Sequence, residues 1–342
     1  MADSHPKTYK AFAFLEKGGP LKPITLDWKD PAPGEVVVKV LACGVCASDE
    51  MVAKGFFPGQ VYPRVPGHEI VGEVVATGTG EQLWKVGDRV GAGWHGGHCG
   101  SCTRCRIGDF VTCSISGTCP TGVGRDGGYA EYATLRSEAL ASLPKDMDPA
   151  EVAPHLCAGV TTFNALRHVH CAPPGTVAIQ GIGGLGHLAI QFARKLGFHT
   201  IALSTSTSKR DLALSLGAHE FIAGTAAEQA QALQERGGAR VIICTAPDAQ
   251  AMSALAGGLD YDGELVVVGA SGAPVSIPIA ALISKRIAVR GWPYGTGTDC
   301  EHTVQFARTN DVKVLVERFP LDRAQEALDR MSSARFRTVI VP

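Results

Sequence analysis

Apolar residues fall along this chain in two different rhythms. Up to about residue 150 they come as short β-branched runs, EVVVKVLACGV (35–45), EIVGEVVATG (69–78) and YAEYATL (129–135), separated by Gly/Pro clusters. The clusters PAPGE, FFPGQVYP and RVPGHE break any helical period, so the runs predict strands of a compact barrel or sandwich. Near residue 149 the rhythm changes. Pro149 with the following AEVAPHLCAGVTTFNALRHV predicts one helix leading into a second domain. Strands and helices alternate from there: strands at 176–180, 199–203, 220–223, 240–245, 263–269 and 286–291, with helices at 184–197, 208–217 and 226–236. Continuous apolar strands joined by helical crossovers predict a parallel sheet covered on both faces. Helices near 299–308 and 322–332 and a strand at 335–341 are expected to fold back on the first domain. The predicted division is 1–152, 153–291 and a returning segment 292–342.

Composition narrows the possibilities. The chain has 342 residues, enough for two domains of about 100–200 residues each. With 45% hydrophobic and 19% charged residues it is too apolar for intrinsic disorder. A net charge of −1 and no basic run argue against nucleic acid or an anionic membrane as partner. No apolar run reaches the roughly 18 residues that span a bilayer. The opening MADSHPKTYK lacks a secretory h-region, so a cytoplasmic location is expected. Eleven cysteines in such a chain point to metal ligands or reactive thiols rather than disulfides.

Three constellations carry chemistry. Gly181, Gly183 and Gly186 form G-x-G-x-x-G between a predicted strand and helix, the context of a dinucleotide turn. Gly184 and Leu185 within that turn, and Thr245 at the end of a later strand, join the candidate cofactor-binding set. Where an NAD-binding sheet carries Asp or Glu at its second strand end, this chain has Ser204, Thr205, Ser206, Thr207, Ser208, Lys209 and Arg210. Hydroxyls and cations without a carboxylate favour a 2′-phosphate, so NADP(H) is expected, with NAD(H) the alternative. Cys99, Cys102, Cys105 and Cys113 (C-x2-C-x2-C-x7-C) suit one tetrahedral zinc with no open position, with disulfides or an iron–sulfur cluster as alternatives. The third constellation is dispersed over Cys46, Ser48 and Asp49, His68 and Glu69, and Cys157. Three such ligands and an open fourth position are what a catalytic zinc requires.

CGVCASD, PGHEIVGEV, the four-cysteine loop, CAGVTTFNAL and GIGGLG occur in the order of the zinc-dependent medium-chain alcohol dehydrogenases, and the chain resembles that family over nearly its whole length. The Ser/Lys-containing turn resembles the NADP-preferring cinnamyl-alcohol-dehydrogenase-like branch. The resemblance implies an α/β protein, with a GroES-like β-barrel catalytic domain and a Rossmann cofactor domain. It also implies two zinc ions per chain, one catalytic and one structural. On that resemblance Cys46, His68 and Cys157 are the catalytic zinc ligands and Glu69 an exchangeable one. Ser48 is the hydroxyl that handles the substrate proton, and Asp49 orients His68. Arg337 in FRTVIV is expected to reach the cofactor phosphates. Trp94, with Trp292 and Tyr294, is expected to line the substrate pocket, plain core packing being the alternative for Trp94.

The implied activity is hydride transfer between NADP(H) and a small alcohol or carbonyl compound. The rivals are a zinc-bearing conjugate (C=C) reductase of an enone, enal or iminium-type substrate, and a non-catalytic NADPH-binding protein. One departure stands out: Met51 occupies the position where the family often has a proton-relaying histidine, and a thioether relays no proton. A ribose hydroxyl with water, or His155, is left to carry the proton onward. Cys43, Cys119, Cys171, Cys244 and Cys300 have no ligand spacing. The RIAVRG strand would close one side of the cofactor sheet, and an unprotected edge favours a homodimer, with a tetramer as alternative.

Overall fold

The computed structural model describes residues 5–115, 119–331 and 333–342, so one residue of the predicted 322–332 helix lies outside it. In chain order the strands are β1 (Thr8–Phe14), β2 (Leu21–Asp27), β3 (Glu35–Gly44), β4 (Glu69–Thr77), β5 (Arg89–Ala92), β6 (Tyr132–Arg136), β7 (Leu140–Ser142), β8 (Thr176–Gln180), β9 (His199–Ser204), β10 (Glu220–Ala223), β11 (Ala239–Cys244), β12 (Leu259–Val267), β13 (Ala288–Gly291), β14 (Val316–Pro320) and β15 (Arg337–Val341). The helices are α1 (Ala47–Ala53), α2 (Thr103–Arg106), α3 (Pro149–Val152), α4 (Ala158–Arg167), α5 (Gly186–Lys195), α6 (Arg210–Ser215), α7 (Ala226–Gln234), α8 (Ala249–Leu255), α9 (Ile279–Lys285), α10 (Gly297–Asn310) and α11 (Ala324–Arg330). None of them is long and apolar enough to cross a membrane.

The chain divides into two units, Met1–Val160 with Tyr294–Phe306 and Lys313–Pro342, and Thr161–Pro293 with Ala307–Val312. The first holds the hairpin β1–β2 and a sheet ordered β14-β15-β3-β4-β5-β7, with β6 also paired to β3. This is the GroES-like domain. The C-terminal strand β15 runs antiparallel to β3, pairing Val339 with Gly44. Val36, Val38, Ile70, Val74, Tyr129 and Leu135 make its dry interior.

The second unit is a Rossmann-type sheet ordered β10-β9-β8-β11-β12-β13, every neighbour parallel. Its central strands are mostly apolar because both faces are covered: Val177–Gln180 of β8 and Val241–Cys244 of β11 are buried without interruption. The strand order reverses beside β8, the place where open α/β sheets bind ligands.

Several predicted boundaries move for local reasons. The single helix expected after Pro149 is three pieces: α3, a 3-10 turn at Ala153–Leu156 and α4. Pro154 cannot donate to the helical ladder, and Cys157 at φ −131°, ψ −77° leaves helical geometry altogether. The strand expected at 129–135 starts only at Tyr132, because the residues before it bond to β1 instead: the Phe12 N–H donates to the Tyr129 carbonyl at 2.8 Å and Ala130 bridges Ala11. The helix expected from 184 starts at Gly186, and that expected from 208 begins as a 3-10 turn at Thr207–Lys209. The hairpin β1–β2, β14 and α9 were not among the predicted elements.

Candidate active site and metal centres

The break at Cys157 turns its thiol toward the Cys46 thiol and the His68 imidazole. Cys46 precedes α1 in extended conformation, and its N–H donates to Asp49 Oδ2 at 2.9 Å. Gly67 holds φ +98°, and a Cβ there would lie 2.4 Å from the Tyr129 ring, so only glycine lets the chain turn into His68. The outcome is a compact cluster. Cys46 Sγ and Cys157 Sγ stand 3.9 Å apart, His68 Nε2 is 3.3 Å from Cys157 Sγ, and Ser48 Oγ is 3.5 Å from His68 Nε2. With a carboxylate oxygen of Glu69, the ligand atoms all lie within 4.8 Å of one another.

Asp49 is buried, and four donors surround it. Oδ1 faces the Gly67 N–H at 3.2 Å and His68 Nδ1 at 3.4 Å; Oδ2 accepts from the Cys46 N–H and, at 3.0 Å, from the Tyr129 hydroxyl. Nothing in the sequence pointed to Tyr129 or to Gly67 as partners of this carboxylate. Glu69 also has an unpredicted partner, Arg337, whose Nη2 donates to Oε1 with both side chains buried. That is where the structure places the arginine expected at the cofactor phosphates. Across the β3–β4 ladder Glu69 faces Gly44, where a Cβ would lie 1.9 Å from Glu69 Oε2.

The charges in the cluster are strongly interdependent. The hydrogen bond from Cys157 and then His68, against burial, hold the Cys46 thiol well below its usual range. Burial pulls the His68 imidazole down, but Asp49 and Cys46 outweigh it and keep it well above its ordinary value. Burial raises Glu69 to about 7 against the pull of Arg337. A divalent cation fits this set on two grounds. Two sulfurs at about 2.3 Å from one tetrahedral zinc are roughly 3.8 Å apart, close to the observed spacing. Glu69 Oε2 is moreover buried with no donor. Binding a cation there displaces the thiol and imidazole protons.

The four-cysteine loop makes a second such set, its ligand atoms also within 4.8 Å of one another. Cys99 and Cys105 Sγ are 3.9 Å apart and Cys102 and Cys113 Sγ 4.0 Å, too far for disulfides and right for one tetrahedral zinc. The N–H of Cys105 holds the Cys102 thiol down to about 5, while burial raises Cys105 to about 12.

Aromatic rings wall the first cluster. Trp94 meets His68 edge-on at 4.9 Å and Phe57 at 5.5 Å, with Tyr294 at 6.3 Å. Trp292 belongs to the other unit, where its ring stacks on His168 at 4.3 Å beside the Arg290 guanidinium. Met51 lies half-buried on α1, and burial pushes the His155 imidazole down to about 4, so it does not titrate near neutrality. His95 is also pushed to about 4, by burial and then by His98. Its folded value lies below the unfolded one of about 6.5. The unfolded chain therefore takes up the proton first, and stability is lost as pH falls from about 6.5 toward 4. His95→Gln is expected to lose about 2 kcal/mol less than wild type between about pH 7.5 and 4.5. Equal losses in calorimetric unfolding at the two pH values would refute this.

In the second unit Gly181 takes φ +86°, and a Cβ on Gly186 would lie 1.9 Å from the Gly181 carbonyl oxygen, so the strand and α5 pack through glycine. A Cβ on Gly183 would meet nothing within 4 Å, which leaves that backbone open to a ligand at the start of α5. Gly184 and Leu185 complete the turn. Lys209 Nζ donates to the Ile182 carbonyl at 2.8 Å, placing its charge at the turn itself. Ser206 and Ser208 hydroxyls are 2.9 Å apart, and Arg210 lies over the Phe221 ring. Thr245 Oγ1 donates to the Gln180 carbonyl at 2.7 Å, so it braces the turn. Ser204 and Thr205 follow at the end of β9.

A GroES-like domain bearing a cysteine–histidine cluster, joined to a Rossmann sheet with a dinucleotide turn, defines a metal-dependent dehydrogenase. Comparison with known proteins narrows this. Residues 32–145 match the alcohol dehydrogenase GroES-like domain family, and residues 184–309 the zinc-binding dehydrogenase family. An alcohol dehydrogenase of Penicillium expansum, patD, is 43% identical over 99% of each chain. Among solved structures, a cinnamyl alcohol dehydrogenase of Sorghum bicolor superposes with a TM-score of 0.86 at 30% identity, covering 98% of each chain. The CAD of Helicobacter pylori complexed with NADP(H) gives 0.84 at 26% identity, also over 98% of each chain. The chain belongs to the zinc-dependent medium-chain alcohol dehydrogenase family, whose members include alcohol dehydrogenases and aldehyde reductases.

Proposed function

We propose that this protein is an NADP-dependent alcohol dehydrogenase working as a reductase of aldehydes or ketones, with Ser48 handling the substrate proton. The observation that carries the reading is Ser48 Oγ beside His68 Nε2 at 3.5 Å, within the Cys46–His68–Cys157 cluster. Zinc held by Cys46, His68 and Cys157 would supply Lewis acidity toward a carbonyl oxygen, and the nicotinamide would supply hydride. The chain's own groups do the rest. Asp49 fixes the His68 ring through Nδ1 and is itself fixed by Gly67, Cys46 and Tyr129. Ser48 presents its hydroxyl proton to the oxygen that gains charge. Trp94, edge-on to His68 and packed on Phe57, gives the cluster an apolar wall. Glu69, tethered to Arg337, is the reserve ligand. The four-cysteine loop would hold a second, structural zinc.

For the cofactor, Gly181, Gly183 and Gly186 leave room for a pyrophosphate at the head of α5, while Ser204, Thr205, Ser206, Lys209 and Arg210 offer donors to a 2′-phosphate. Ser204→Asp is expected to raise KM for NADPH roughly 10- to 100-fold and to improve use of NADH, because a carboxylate repels phosphate and accepts from a ribose hydroxyl. An unchanged NADPH/NADH ratio would refute the assignment.

A homodimer is the expected assembly. β13 is an edge strand with Val289 exposed, and α9, which precedes it in the chain, exposes Ile279 and Ile283, apolar surface that a second copy would cover. A cytoplasmic location remains the reading of the sequence.

The deciding experiment supplies cinnamaldehyde with NADPH or, separately, NADH and identifies the product. Cinnamyl alcohol formed mainly with NADPH supports the proposal. A saturated aldehyde would assign the protein to conjugate reduction and direct attention to Met51.

A further inference from the structure

Tyr294 stands where the two metal-binding regions of the first unit meet. Its hydroxyl donates to the Val111 carbonyl at 3.2 Å, in the 3-10 turn just before Cys113. Its ring lies 6.3 Å from Trp94 and 6.4 Å from His95. Trp94 in turn sets its edge against His68. A second line runs in parallel: Phe110 stacks on His98 at 4.0 Å, and His98 is hydrogen-bonded to His95 at 3.1 Å. Both lines start in the four-cysteine loop; the second meets the first at Tyr294 through His95, and the first goes on to the ring beside His68. Within residues 101–112 only Cys105 is buried, so the loop has almost no apolar core and its sulfurs are its stiff part. The Tyr294 hydroxyl is a tie from the aromatic wall into that stiff part.

We propose that Tyr294 is a positioning residue through which the four-cysteine loop sets the stance of Trp94, and with it the fit of bulky carbonyl compounds beside Ser48. This rests on reading the Cys46–His68–Cys157 site as the place where a carbonyl compound is reduced. A zinc held by Cys99, Cys102, Cys105 and Cys113 would thereby bear on substrate choice as well as on folding.

Tyr294→Phe keeps the ring and removes only the hydroxyl. In the Cys46→Ser background, where loop zinc alone is counted, release of zinc to a chromogenic chelator is expected to be about fivefold faster with Tyr294→Phe, the worth of one neutral hydrogen bond. In the otherwise intact zinc enzyme, KM for an aromatic aldehyde is expected to rise by a similar factor, about fivefold, with a smaller change in kcat. Faster release without a KM change, a KM change without faster release, or neither, overturns the proposal. Phe110→Leu slackens the second line from the loop side and is expected to raise the same KM. Trp94 emission, isolated by difference from Trp94→Phe, gives a readout that needs no turnover, and it is expected to shift in both variants. If the wild-type enzyme reduces no carbonyl compound, the functional reading falls. Trp94 emission then decides the coupling, and a signal blind to Tyr294→Phe and Phe110→Leu overturns it.

Discussion

Cys46→Ser is expected to lower turnover at least about a thousandfold while leaving NADPH binding and the fold in place. The hydroxyl of serine is a far poorer zinc ligand than a thiolate at neutral pH, and of the cluster's two thiols Cys46 is the one its surroundings push toward the thiolate. Its removal leaves His68 and Cys157 with Glu69, a set with a single sulfur. Several kcal/mol of polarisation of the substrate oxygen are lost with the metal, and each 1.4 kcal/mol or so is a factor of ten in rate. Zinc analysis of the purified variant is expected to find the loop ion alone. Fluorescence quenching by NADPH is expected to persist, because Gly181–Gly186 and Lys209 belong to the other unit. Undiminished turnover would refute the catalytic assignment of this cluster.

The second large effect concerns the buried pair Glu69–Arg337. Arg337→Met replaces a buried cation by an apolar chain of similar length and leaves Glu69 without its one strong partner. Breaking such a pair by removing one member costs about 3–5 kcal/mol, since the remaining charge stays out of water. For a domain of this size that is a fall of about 10 °C in the unfolding midpoint. The loss is expected to shrink as pH falls. Glu69 already has its carboxyl raised to about 7 by burial, and Arg337 is the group that opposes the rise. Without it the folded value climbs further from the unfolded one, so the gap between variant and wild type widens above about pH 7 and narrows below it. A midpoint within about 2 °C of wild type at pH 8 would show that the pair contributes nothing net. NADPH affinity measured on the same variant tests whether Arg337 also reaches the cofactor phosphates.

The two halves of the chain were legible to different degrees. The parallel sheet announced itself because β8, β9 and β11 each carry a continuous apolar run (177–179, 201–203 and 241–244), a pattern that burial on both faces enforces. The glycine turn and the four-cysteine loop were legible because their spacing is local, and local geometry decides how they fold. The first cluster was harder. Cys46, His68 and Cys157 are far apart in sequence, and motif order rather than periodicity joined them. Its supports were not legible at all. Tyr129 reaches Asp49 across 80 residues and Arg337 reaches Glu69 across 268, and nothing at either end signals the partner. The helix expected through Cys157 failed for a related reason. Pro154 was visible, yet the departure at Cys157 serves a ligand geometry that only the folded unit reveals. Trp292 was grouped with Trp94 on chemical type, while the structure stacks it on His168.

The contact between Gly44 and Glu69 has a consequence for anyone building variant libraries around the metal. The two positions sit opposite one another on neighbouring strands, and the carboxylate fills the space that any larger residue at 44 needs. They therefore behave as one locus with two codons. A substitution at position 44 alone forces the Glu69 carboxylate to move off its tie to Arg337, whereas truncating Glu69 to alanine or serine removes the obstructing carboxylate and leaves only its Cβ, 3.0 Å from the new one. The same pairing couples how the site can drift: the glutamate must shorten or swing aside for the glycine to grow.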